Sequence, residues 1–120
     1  MDAHRAFRDN LSATSLPYKP IVTMGWDVTP VCEYSLPWPF PPSPMTDRHD
    51  YPYISLTEGN TSERFRELCA NSQRYCRSAA HQPKAVFINA WNEWTEGSYL
   101  LPEQYYGNAY LEAIRDTFKG

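Results

Sequence analysis

The sequence predicts an α/β fold: part of a (β/α)8 barrel of the TIM type, made of C-terminal βα units only. Three observations carry this. Two apolar runs, Ile21-Val22-Thr23-Met24-Gly25-Trp26 and Ala85-Val86-Phe87-Ile88-Asn89-Ala90, read as strands without polar alternation, the pattern of strands buried on both faces. The order of patterns is helix, strand, helix, strand, helix, and strands joined through a helix pair in parallel by a right-handed crossover. Finally, the residues with chemical potential cluster just past the C-terminal ends of the strands, where such barrels carry their sites.

The elements follow in order. Over residues 1–13, Ala3, Ala6, Phe7 and Leu11 recur at helical spacing, the end of an amphipathic helix. Ser15-Leu16-Pro17-Tyr18-Lys19-Pro20 interrupts it before the first strand. Residues 28–59 are long, irregular and rich in proline; Pro39, Pro41, Pro42 and Pro44 cannot continue a helix or a central strand. Tyr51 to Leu56 could add a short edge strand. Asn60 as N-cap with Glu63 three residues on opens the next helix. Phe65, Leu68, Cys69, Ser72, Tyr75, Cys76 and Ala79 trace its apolar face, and His81-Gln82-Pro83 ends it. After the second strand and a loop through Pro102, a last helix turns Tyr110, Leu111, Ile114 and Phe118 inward.

With 120 residues, the chain is under half the roughly 250 that a closed barrel takes. It therefore reads as the C-terminal part of a larger barrel domain over residues 1–120, or as a shortened relative that completes its sheet by oligomerising. The first is favoured, because both strands would otherwise present unpaired edges.

Composition excludes several classes of function. The net charge of -3 gives no reason to expect nucleic acid as partner. No apolar run approaches the roughly 20 residues that span a bilayer. Met1-Asp2-Ala3-His4-Arg5 lacks the apolar core of a signal peptide, which points to the cytoplasm. Cys32, Cys69 and Cys76 are odd in number and unpaired in spacing, so they read as small buried apolar residues rather than a disulfide framework. His4, His49 and His81 lack metal-ligand spacing, and the glycines are scattered. Neither a metal nor a cofactor is expected, and an ordinary nucleotide-dependent transferase is disfavoured.

The candidate chemistry lies in Ala90-Trp91-Asn92-Glu93-Trp94-Thr95-Glu96-Gly97. Two carboxylates three residues apart, one bracketed by tryptophans, suit sugar chemistry. Aromatic faces stack on the C–H faces of a pyranose, and a low local polarity keeps one acid protonated beside an ionised neighbour. In an extended strand residues three apart face opposite sides, so Glu93 and Glu96 converge only if the chain turns just after Trp91. Asn92 and Gly97 make that turn plausible, and convergence would bring the carboxyl groups toward the ~5 Å typical of retaining glycosidases. Asp27, past the first strand, is a third carboxylate at the same end. The substrate-contacting candidates are Trp91, Asn92, Trp94 and Asp27, with Glu93 and Glu96 as the catalytic pair.

This pattern resembles a known family. Asn89-Ala90-Trp91-Asn92-Glu93-Trp94-Thr95-Glu96-Gly97, then Tyr99-Leu100-Leu101-Pro102 and Tyr106-Gly107-Asn108-Ala109-Tyr110-Leu111-Glu112-Ala113, is similar to the C-terminal region of glycoside hydrolase family 99-like proteins. The branch it resembles most is the WbsX-like proteins of bacterial O-antigen and polysaccharide gene clusters, described as glycosyltransferases or glycan-processing proteins. Met24-Gly25-Trp26-Asp27-Val28-Thr29-Pro30 resembles a second block of that family, and the likeness runs from about Leu16 to Phe118. It implies a (β/α)8 barrel acting on α-linked, mannose-like glycans. In that scheme Glu93 is the base on the sugar 2-hydroxyl, whose oxygen displaces the leaving group, and Glu96 is general acid and base at the glycosidic oxygen. The chain departs from the family at Val31, where a basic residue is frequent, and at Leu101, where glutamate is. The alternatives are a non-catalytic glycan-binding or assembly module of a polysaccharide system, suggested by the aromatic loops, and an inactive gene fragment.

Overall fold

A parallel pair of strands with two helices against one face holds the candidate site. The structure is a computed structural model and describes residues 6, 9–11, 13–14, 17–32, 56–78 and 84–119. The expected edge strand at Tyr51, most of the Pro-rich stretch, the helix end at His81-Gln82-Pro83, and His4 and His49 lie outside the described residues.

Strand β1 spans Ile21–Thr23 and strand β2 spans Phe87–Asn89. They pair in parallel, Ile21 with Phe87, Val22 with Ile88 and Thr23 with Asn89. The expected pairing is therefore present, in strands shorter than the apolar runs. Glycine and the turn that follows end β1 early: Thr23 Oγ1 donates to the Gly25 carbonyl at 2.8 Å and accepts from the Gly25 N–H at 3.2 Å. These bonds curl the backbone away from extended geometry.

Burial on both faces does not hold. Val22 is wholly buried, whereas Ile21 and Phe87, neighbours in register, are 51% and 56% exposed. Among the described residues the core lies on the other face. There Val22, Met24, Phe65, Cys69, Leu100, Tyr110 and Ala113 form one cluster, with Ile88, Leu111, Ile114 and Phe118 packed against it.

Helix α1 spans Ser62–Ser78 and buries Ser62, Phe65, Cys69, Ser72 and Cys76, the 3.6-residue stripe read from the sequence. Small residues dominate that stripe and let the helix lie close to the sheet. Its cap is Thr61, one residue later than expected: Thr61 Oγ1 accepts the Arg64 N–H at 3.3 Å, an N-cap bond to the third helical residue. Helix α2 spans Ala109–Phe118 and buries Tyr110 and Ala113. It crosses α1 through the edge-to-face pair Phe65–Tyr110, 5.3 Å between ring centres, and through the Gln73 amide on the Thr117 carbonyl. Residues 6 and 9–11 are helical, and Thr14 closes that segment by donating its N–H and Oγ1 to the Leu11 carbonyl.

Cys69 and Cys76 are buried, as their place on the apolar stripe implies; Cys32 is only half-buried and donates its thiol to the Val28 carbonyl. Among the described residues no disulfide joins the three. Burial pushes the Cys69 thiol up to about 11. No helix among the described residues is long and apolar enough to cross a membrane.

Candidate glycan site at the strand ends

The segment after β2 folds back on itself. The peptide between Asn89 and Ala90 is cis. Asn92–Glu93 forms strand β3, Trp94–Glu96 a single 3-10 turn, and Ser98–Tyr99 strand β4, antiparallel to β3. Gly97 closes the turn at φ 62, a conformation that costs a side-chain-bearing residue, and its N–H returns to the Trp94 carbonyl at 3.1 Å. The bend required after Trp91 is thus present. Its detail differs from expectation: Asn92 is a strand residue opposite Tyr99, and the turn proper is made by 94–97. A plain loop was expected here, because two-residue strands leave no periodicity to read.

Asp27 meets this turn. Its N–H donates to the Glu96 carbonyl at 2.8 Å. A Cβ on Gly97 would lie 3.3 Å from the Asp27 Cβ, and a Cβ on Gly25 would lie 2.9 Å from the Gly97 carbonyl oxygen. The two glycines therefore permit a backbone approach that no other residue allows without movement. Thr57 adds a third strand-end contact, its N–H on the Trp26 carbonyl at 2.8 Å. The Asp27 carboxylate is turned to local use: Oδ1 accepts the Thr29 N–H at 2.9 Å and the Thr29 hydroxyl at 2.7 Å. Those bonds hold its carboxyl below the ordinary range and fasten the 3-10 turn Thr29–Val31.

Glu93 is exposed and Glu96 half-buried. Glu93 Oε1 accepts the Thr95 hydroxyl at 2.6 Å. The tryptophans do not enclose Glu93: Trp91 is 58% exposed and Trp94 46%. Trp94 has one ring face covered by Tyr99, stacked at 3.9 Å with 21° between planes. Asn92 is exposed beside them and Trp26 half-buried. Cavities among the described residues lie elsewhere, one of about 270 Å³ between Gln73, Cys76, Val86, Ile88 and Phe118 and another of about 90 Å³ around Thr57, Asn60 and Arg64. Neither is lined by Glu93 or Glu96. Among the described residues no group of three His, Cys, Asp or Glu side chains is placed to hold a metal ion.

Below the turn lies a polar network that sequence reasoning missed. Ser98 is fully buried. Its hydroxyl donates to the Asn89 carbonyl at 2.7 Å and accepts from Asn89 Nδ2 at 3.2 Å. Thr23 Oγ1 lies 3.2 Å away and Met24 Sδ 3.5 Å. A serine beside a glycine in a polar segment looks like surface; only the closure of β4 over both strand ends buries it.

Residues 45–114, more than half of the chain, match the family described as glycosyltransferase WbsX. The chain belongs to the glycosyltransferase WbsX family. The matched span contains the whole Trp-Glu turn and most of α2. The chain is also 43% identical over 55 residues to uncharacterized protein WxcX of Xanthomonas campestris pv. campestris, in strain B100 and equally in strain ATCC 33913. That similarity covers 45% of the WbsX-family chain and 8% of the relative, so the chain corresponds to a small part of these longer proteins. No solved structure matches it.

Proposed function

We propose that this WbsX-family chain is the C-terminal part of a barrel domain that cleaves or transfers glycosidic bonds in α-linked, mannose-like glycans, with Glu93 and Glu96 as the reacting pair. The observation that carries the reading is the Asp27 N–H to Glu96 carbonyl bond. It joins the segments beyond two parallel strands, the end at which barrel enzymes gather catalytic groups. Glu93 leads directly into the short turn that ends on Glu96, which keeps the two carboxylates on one tight bend and favours their addressing one sugar.

In this scheme Glu93 takes the proton of the sugar 2-hydroxyl, and that oxygen displaces the leaving group at C1. Glu96 gives its proton to the departing glycosidic oxygen. It then takes a proton from the incoming water, for cleavage, or from an acceptor hydroxyl, for transfer, as that oxygen bonds to C1, the C1–O2 bond breaks and Glu93 returns its proton to O2. Trp91, with an open ring face, supplies a platform for a pyranose. Trp94 contributes less stacking surface because Tyr99 covers one side. In this reading the exposed Asn92 and the half-buried Asp27 meet sugar hydroxyls.

The test is made in the full-length protein with Glu93→Gln and Glu96→Gln, assayed for cleavage of, or transfer to, α-mannose-linked glycans. Each is expected to lose at least two to three orders of magnitude in turnover while remaining folded. Retention of activity by both variants would refute the reading.

A further inference from the structure

We infer that Ser98 is the positioning residue of the glutamate turn, fixing it to the end of β2 beside the end of β1; this rests on the reading of Glu93 and Glu96 as the reacting pair. The placement is specific. Ser98 stands opposite Glu93 in the β3–β4 register and follows directly on Glu96-Gly97. Its side chain is fully buried, whereas Glu93 is exposed.

A hydroxyl has one proton and two lone pairs. The Ser98 proton goes to the Asn89 carbonyl at 2.7 Å, its shortest contact. One lone pair takes Asn89 Nδ2 at 3.2 Å, and Thr23 Oγ1, whose own proton goes to the Gly25 carbonyl, lies in contact at 3.2 Å. Asn89 ends β2 and Thr23 ends β1, and these two are register partners. One oxygen therefore ties the turn to the last residue of β2 and packs it against the last residue of β1. Without it, the half-buried Asn89 carbonyl loses this donor, and an acceptor left without its partner away from bulk water is costly. The turn would relax at the point where Asp27 and Glu96 meet. Ser98 touches no substrate, and its effect passes through the position of Glu96.

The test uses the full-length protein with Ser98→Ala, which deletes the hydroxyl, and Ser98→Cys, which keeps a weak donor of similar reach. Amide exchange at Asp27, whose N–H is bonded to Glu96, reads the turn directly, and amides within α1 serve as the global control. We expect Ser98→Ala to speed exchange at Asp27 roughly tenfold with α1 unchanged, and Ser98→Cys to restore part of the protection. In glycan turnover we expect kcat to fall roughly tenfold with KM within about twofold, and no further loss when Ser98→Ala is added to Glu96→Gln. Wild-type exchange at Asp27 in folded Ser98→Ala, or an equal rise throughout α1, would overturn the inference. So would full kcat in the variant, or a loss that multiplies with that of Glu96→Gln. Should Glu96→Gln alone prove fully active, the catalytic reading fails instead, and exchange at Asp27 still decides whether Ser98 holds the turn.

Discussion

The backbone N–H of Asp27 donates to the carbonyl of Glu96 at 2.8 Å, joining two segments 69 positions apart in the chain. The two strands meet edge to edge in β1 and β2; this bond extends their contact into the connections beyond. Gly25 and Gly97 make it possible by leaving out the side chains that would stand between the backbones.

Replacing either glycine should therefore cost more than an exposed turn glycine usually does. For Gly97→Ala we expect a loss of roughly 1–2 kcal/mol, from the left-handed backbone at φ 62 and the close Asp27 Cβ. Gly25→Ala should lose about 1–3 kcal/mol, because its Cβ would fall 2.9 Å from the Gly97 carbonyl oxygen and 2.7 Å from Asn60 Nδ2. Removing the Asn60 side chain as well should recover only part of that, since the backbone clash remains. Urea unfolding of the single and double variants measures all three.

The two tryptophans should separate in their effects. Trp94 stacks on Tyr99, so Trp94→Ala should lose that ring contact, about 0.5–1.5 kcal/mol beyond burial, and loosen the hairpin. Trp91 is more open, so Trp91→Ala should change stability by no more than ~0.5 kcal/mol. Glycan affinity should show the reverse order, Trp91→Ala weakening it more. Titration of an α-linked mannobiose followed by tryptophan fluorescence, beside thermal unfolding, checks both halves.

Stability should fall on the alkaline side. Tyr110 is buried, donates its hydroxyl to the Asn60 carbonyl at 3.1 Å, and has its phenol pushed from 10.0 up to about 12, chiefly by burial. Between pH 10 and 12 the folded state keeps a proton that the unfolded state has lost, so unfolding becomes easier as pH rises and no effect arises below that window. Cys69 adds the same sign between pH 9 and 11. Tyr110→Phe should flatten the upper part of the limb, and Cys69→Ala the lower. Unfolding free energy measured from pH 8 to 12 for the three proteins tests this.

Much of this was legible in the chain. The α1 stripe from Phe65 to Cys76 and the inward residues of α2 follow from 3.6-residue spacing, because burial on one face leaves that period in the sequence. The parallel pairing followed from strand, helix, strand order. The exposed face was not legible. Ile21 and Phe87 look as apolar as Val22, and an apolar run does not say which of its faces is covered. The cap shifted from Asn60 to Thr61 because both residues can accept the bond and only the entry path of the chain decides between them. The hairpin after Trp91 and the buried Ser98 are products of tertiary closure, and two-residue strands are too short to leave a pattern.

The division of labour between Glu93 and Glu96 is open to one direct measurement: turnover of an α-linked disaccharide bearing a good nitrophenyl leaving group, compared with an unactivated glycan, in the full-length protein. A good leaving group needs no proton, so we expect Glu96→Gln to recover most of its lost rate on the activated substrate while Glu93→Gln stays inactive on both. Equal rates for wild type and both variants on the unactivated glycan, or recovery by Glu93→Gln rather than Glu96→Gln, would contradict the assignment.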